Sequence, residues 1–367
     1  MARRLVISAD SHVNEPLDLW ERELPESLRD RAPRRVVEDD RSKMVMDGKV
    51  VHSIKNVSHE DERSRHSAEG NELRDSAGGN NLEDRLRDLE LDGVAGEVIY
   101  PSIGLFVFLI EDPELQEACA QVYNDWAAKL FFGRADVFAP AAILPARDLE
   151  RARREFERVA GLGYKGAMLP IQTPPGAPYN SDGWTPLWEV AEEHRIPISY
   201  HVGTGSLPVS ERGPGGAVIN YVRVGAAGID LVAFFAASGV LERHPGLHVA
   251  VVEAGAGWLP YVCERMDEAA IEHAGWVRPK LPMLPSEYVR RQVHVTLGAD
   301  RSPILTREIT GPEPLLWASD YPHPEGTFPE SQQAIDRIFA GLDASNEEIE
   351  QIVGRSAAAL WRLADVA

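Results

Sequence analysis

Short apolar runs alternate along most of the chain with stretches whose apolar positions recur three and four residues apart, the spacing of one helix face. The runs read as strands over residues 5–10, 96–102, 137–144, 164–170, 197–203, 248–255, 292–298 and 314–320. Between them, LERARREFERVAGLG, PLWEVAEEHR and EEIEQIVGRSAAALWRL read as amphipathic helices. Strand followed by helix, repeated eight times, predicts a parallel sheet closed on itself, an α/β protein of the (β/α)8 TIM barrel type. No second boundary interrupts the rhythm, so residues 1–367 are expected to form a single domain.

One segment departs from the pattern. Residues 34–81 are charged and rich in Ser, Gly, Asn and His, which predicts an insertion after the first strand. In a barrel this insertion would hang over the C-terminal mouth as a lid, or else be a plain surface excursion. After the second strand, Ile103 to Ile110 is an unusually apolar loop that would line a pocket, pack under the insertion or form a subunit contact.

Composition narrows the function. With 58 acidic and 38 basic residues the net charge is −20, which argues against nucleic acid or an anionic membrane as a partner. The apolar run after MARR is too short for a signal-peptide core, so a soluble cytoplasmic protein acting on a small molecule is expected. Cys119 and Cys263 lie far apart in helical patterns and read as ordinary buried residues.

In a barrel the active site is built where strands end, so polar residues closing an apolar run carry the candidate chemistry. The first strand ends in Asp10-Ser11-His12, where alternation places the acid and the imidazole on one side. The fifth ends at His201 before a glycine-rich turn, the sixth at Glu253, and the eighth at Asp320 with His323 three residues on. Imidazoles mixed with carboxylates suit one divalent transition metal ion, zinc before iron or manganese. Asp320 would be both a ligand and a proton acceptor. Glu15 rivals Asp10 as the ligand from the first strand, and Asp10 has a second reading as the cap of the following turn. Glu253 reads as a ligand, a general base or an acceptor orienting a ligand histidine. His323 reads as a proton shuttle or a turn residue. His294, inside the seventh strand, is left out of the site. His52, His59 and His66 read as solvated residues of the insertion.

The stretches SADSHVNEPLDLW, LEDRLRDLELDGVAGEVIYPS, HRIPISYHVGTG, LERHPGLHVAVVEAGAGWLP and LLWASDYPHPEGTFP resemble the amidohydrolase 2 family, which includes aminocarboxymuconate semialdehyde decarboxylase and related metal-dependent hydrolases. The resemblance implies metal ligands at Asp10, His12, His201 and Asp320, and it points to a homodimer. The family's decarboxylases use a histidine near the end of the sixth strand, where this chain has Glu253. That departure, with the Glu-Pro that follows the Asp-x-His opening, resembles a branch containing hydrolases, among them a thioesterase for coenzyme A thioesters. Hydrolysis of an activated carbonyl is therefore the first expectation. Non-oxidative decarboxylation of an unsaturated or aromatic carboxylic acid is the second, and a catalytically inactive binding barrel, which the retained ligand set argues against, is the third.

Overall fold

A computed structural model describes residues 4–38, 41–55, 77–205, 211–323 and 326–363. Eight parallel strands form the expected barrel: β1 (Ile7–Val13), β5 (Gly96–Pro101), β6 (Phe138–Ile143), β7 (Gly166–Pro170), β8 (Ile198–His201), β9 (Val249–Val252), β10 (Val293–Leu297) and β11 (Leu315–Trp317), hydrogen-bonded in that order. Every one of them is wholly buried, with the outer ring of helices on one face and the barrel interior on the other.

The barrel closes between β1 and the chain leaving β11. β11 is only three residues long, and closure falls to the segment beyond it. Asp320 N donates to Asp10 O at 2.9 Å and His12 N to Tyr321 O at 2.6 Å. Three buried hydroxyls seal the seam below, Ser11 Oγ and Ser319 Oγ each lying 3.0 Å from Ser8 Oγ. Two site-bearing segments, one from each end of the chain, are thus bonded directly to each other.

Alternation along β8 fixes which side chains enter the barrel. Ser199 accepts from Tyr100 Oη at 2.9 Å across the interior, so Ser199 and His201 face inward. Tyr200 faces the helices, its ring 5.1 Å from Tyr179 and 5.5 Å from Phe235. The outer helices are set by ordinary signals. Asp148, for example, accepts from the Glu150 and Arg151 amides and starts the helix Leu149–Leu162.

The segment after β1 holds a small antiparallel sheet that sequence reading did not anticipate: β2 (Arg34–Glu38), β3 (Arg41–Met46) and β4 (Lys49–Lys55), ordered β2-β3-β4. Its β3–β4 turn is Asp47-Gly48, both with positive φ (52° and 72°), the pairing that a two-residue hairpin requires. This sheet sits on the apolar loop after β5, where His52 stacks on Phe106 with ring centroids 5.4 Å apart. Ile103 to Ile110 is largely a short 3-10 helix, Gly104–Leu109, with Val107 and Phe108 buried. His59 and His66 lie outside the described residues, as does much of the expected lid.

One helix, Gly216–Ala237, is long and apolar enough to cross a membrane by length and composition. Its second half packs into the outer ring through Leu231, Val232, Phe235 and Ala236, while Val218, Tyr221 and Val222 near its start are exposed. Cys119 and Cys263 are buried and free.

Candidate metal centre

Four side chains converge at the C-terminal mouth. His12 Nε2 lies 3.1 Å from His201 Nε2 and 3.7 Å from both Asp10 Oδ1 and Asp320 Oδ1, while His201 Nε2 lies 3.5 Å from Asp10 Oδ1. Asp10, His12 and His201 are almost completely buried. Asp10 and His12 reach one side of β1 as the alternation requires, with Ser11 turned to the seam, and the β1–β5 register shifts between Ser8 and Ser11 to seat them.

The ring orientations follow from hydrogen bonding. His12 Nδ1 is 2.9 Å from Pro101 O and His201 Nδ1 is 2.7 Å from Val202 O. A carbonyl oxygen only accepts, so each Nδ1 carries the proton and each neutral ring keeps its lone pair on Nε2. Two lone pairs then face each other across 3.1 Å, beside two buried carboxylate oxygens, Asp10 Oδ1 and Asp320 Oδ1. Such groups repel unless a cation lies among them. The donor set fits a divalent ion, with two imidazole nitrogens and two carboxylate oxygens as ligands.

The electrostatics agree. Burial raises the Asp10 carboxyl above the usual range, and burial, with His323 and His201 nearby, holds the His12 imidazolium well below its own. Burial would lower His201 too, but Asp10 and then Glu253 outweigh it and carry that ring up to about 9, so positive charge is favoured at this point.

The remaining candidates have separate places. His323 stacks on His12 with centroids 4.1 Å apart, and its Nδ1 is 3.0 Å from Asp320 Oδ1. It therefore adjoins the cluster and is still 30% exposed. Glu253 Oε2 lies 3.5 Å from His201 Nδ1, on the side of the ring away from the cluster. Burial, then the carboxylates of Asp320 and Asp10, pushes Glu253 up to about 8 against the pull of His201. Glu253 and Asp320 are both held in the left-handed region, φ 64° and 56°, a strained setting for residues other than glycine.

Glu15 is not one of the converging groups. Its buried carboxylate accepts from the Ser102, Ile103 and Gly104 amides at 3.1, 2.9 and 2.8 Å, anchoring the loop after β5. Gly104 is needed for that approach, since a Cβ there would lie 2.7 Å from Pro101 Cβ and 3.1 Å from Glu15 Oε1. His294 sits at the opposite end of the barrel, its Nε2 3.1 Å from His248 Nδ1. Sequence reading missed Arg85 and Glu97, a fully buried ion pair at 2.6 Å whose arginine also donates to His12 O at 2.7 Å and steadies the ligand strand from behind. The only hint was Glu97, a charged residue inside the otherwise apolar β5.

A sequence-family model described as amidohydrolase matches residues 83–363. The chain belongs to the amidohydrolase family. The match begins after β1, so the Asp10 and His12 of this amidohydrolase lie ahead of the matched segment. No curated protein sequence matches the chain. Among solved structures, an amidohydrolase from Mycobacterium avium subsp. paratuberculosis K-10 is similar at 22% identity, covering 98% of this chain and 100% of its own, with a TM-score of 0.81. The 5-carboxyvanillate decarboxylase LigW from Sphingomonas paucimobilis is similar at 19% identity, covering 98% and 99%, with a TM-score of 0.68. A dihydroxybenzoic acid decarboxylase from Polaromonas sp. JS666, solved with manganese and 2-nitroresorcinol, is similar at 18% identity, covering 98% and 97%, with a TM-score of 0.62. At these identities the likeness is one of fold.

Proposed function

We propose that this amidohydrolase is a metal-dependent hydrolase that adds water to an activated carbonyl of a small acyl derivative: an ester, an amide, a thioester such as an acyl-CoA, or a carbon–carbon bond beside a ketone. The observation that carries the reading is the meeting of two Nε2 atoms and two carboxylate oxygens at one buried point of the mouth. A divalent ion held by Asp10, His12, His201 and Asp320 would polarise the carbonyl and acidify a water there.

The chain's own groups supply the proton handling. Asp320 would accept the proton of the attacking water. His323, 3.0 Å from Asp320 and partly open to solvent, passes it to the leaving group. Glu253 braces His201 from the far side and presents a carboxyl to the mouth. Zinc is the first expectation for the ion, with iron and manganese behind it.

A second reading, non-oxidative decarboxylation of an aromatic or unsaturated acid, draws support from the fold neighbours named as decarboxylases. It would use the same ion to hold the substrate's carboxylate. For assembly we propose a homodimer through the exposed apolar start of the helix Gly216–Ala237, which light scattering in solution checks.

The deciding experiment starts from protein stripped by a chelator and reloaded separately with zinc, manganese or iron(II). It is incubated with acyl thioesters, esters and amides and, in parallel, with hydroxylated aromatic acids. Thiol, alcohol or amine release restored by metal supports hydrolysis. Metal-dependent carbon dioxide release without them would replace it by the second reading, and no metal-dependent turnover of either kind would overturn both.

A further inference from the structure

Tyr321 joins the metal centre to a helix that contributes nothing to it. Asp320 precedes it in the chain and His323 follows two residues later. Its backbone belongs to the barrel seam, where its carbonyl accepts from His12 N at 2.6 Å. Its side chain is only 2% exposed and reaches the helix Leu82–Asp92. There the phenol donates to Asp88 Oδ2 at 2.5 Å, and the guanidinium of Arg85, one turn earlier, lies over the ring 4.9 Å from its centroid. Phe328 packs edge-on against the same ring, with centroids 5.0 Å apart.

The end of the insertion covers this bond. A Cβ on Gly78 would lie 2.1 Å from Tyr321 Oη and 2.3 Å from Asp88 Oδ2, although the Gly78 backbone is not in the left-handed region. Contact alone therefore excludes a side chain there. The pieces around the bond are separately anchored. Gly79 O accepts from Asn14 N at 2.8 Å, two residues beyond His12, and Asn81 caps the helix Leu82–Asp92 through the Glu83 and Asp84 amides.

Asp320 needs such support. Its φ of 56° is strained, and a strained residue keeps its conformation only where the surrounding structure fixes it. On one side Asp320 N is bonded to Asp10 O, and on the other the next residue is pinned through its phenol. We propose that Tyr321 and Asp88 are positioning residues of the metal centre, their hydrogen bond under Gly78 holding the Asp320 carboxylate where it meets the other ligands. The inference rests on the reading above that Asp10, His12, His201 and Asp320 bind a divalent ion, and it extends that reading to residues that are not ligands.

The test measures metal binding and stability separately. Full-length protein is stripped by a chelator, and its zinc affinity is read by competition with a chromophoric chelator for wild type, Tyr321→Phe, Gly78→Ala and the double variant. None of these changes alters charge, so a shift in affinity reports placement and not attraction. Each single variant is expected to bind zinc about ten-fold more weakly or worse. The double variant should fall well short of the product of the two losses, because Tyr321→Phe removes the hydroxyl that the new methyl would strike. Urea midpoints of the metal-free proteins show whether each variant is folded. Wild-type zinc affinity in either folded single variant overturns the proposal, whatever stability is lost, and so does a double variant that shows the full product. Should one single variant prove unfolded, the other decides by the same reading. A wild type that binds no zinc would overturn the metal reading itself, and the proposal with it.

Discussion

His201 Nε2 lies 3.5 Å from Asp10 Oδ1, and both atoms are buried at the mouth of the barrel. The carbonyl of Val202 takes the Nδ1 proton of His201, so Nε2 is the atom that meets Asp10. Positive charge is favoured between them, and a metal ion held there also by His12 and Asp320 supplies it, which gives the first prediction. Purified protein is expected to carry about one equivalent of transition metal by elemental analysis. Removing it should lower the melting temperature, and restoring it at a thousand-fold excess over Kd should return about 4 kcal/mol. His201→Ala and Asp320→Ala should each lose the metal, whereas Glu15→Gln should keep it and destabilise the loop it anchors by about 1–3 kcal/mol.

Glu253 tests a different relation. Its carboxylate faces Nδ1 of His201 at 3.5 Å and not the converging Nε2 atoms, so it is not required to hold an ion. Glu253→Gln preserves the size of the side chain and is expected to leave metal content unchanged while lowering kcat at least ten-fold. Loss of metal in that variant would make it a ligand, and unchanged kcat would remove it from the chemistry.

The barrel was legible because each of its strands is a near-continuous apolar run, the pattern of a sheet buried on both faces, closed by a polar residue at the mouth. For the same reason His12, His201 and Asp320 stand out along the chain. The β2-β3-β4 sheet was not legible. Its strands are charged and half-exposed, and the one sharp signal, Asp47-Gly48, lies inside a segment whose composition reads as loop. Glu15 rivalled Asp10 along the sequence because both carboxylates flank His12, and only the tertiary approach of the Ser102 to Gly104 amides shows what Glu15 accepts from. Arg85 and Glu97 escaped because their partners lie 12 or more residues away, beyond any local pattern.

The Arg85–Glu97 pair is buried to within 1% of full exclusion, and both residues leave one polar atom unsatisfied. Removing one partner strands the other charge in the barrel. Arg85→Leu and Glu97→Leu are each expected to cost about 3–5 kcal/mol in chemical denaturation, and the double variant less than the sum. Arg85→Leu should also weaken metal binding more than Glu97→Leu does, because only the arginine holds the His12 carbonyl. Equal metal affinities in the two would assign Arg85 to stability alone.

At the far end of the barrel the same principle predicts acid sensitivity. Burial first, then His248 at 3.1 Å, lowers His294 from 6.5 to about 3, while burial and Arg291 lower His248. A histidine whose folded pKa is depressed binds fewer protons folded than unfolded. Its contribution is complete above pH 6.5 and is lost progressively as the pH falls toward 3. Replacing His294 with Asn removes that titration. The stability gap between wild type and His294→Asn, read from urea midpoints at pH 7, 5.5 and 4.5, should therefore shift in favour of the variant as the solution is acidified, by about 1.4 kcal/mol per unit below pH 6. A gap independent of pH would mean that the two rings share a proton in the folded protein, and that His294 is not held neutral.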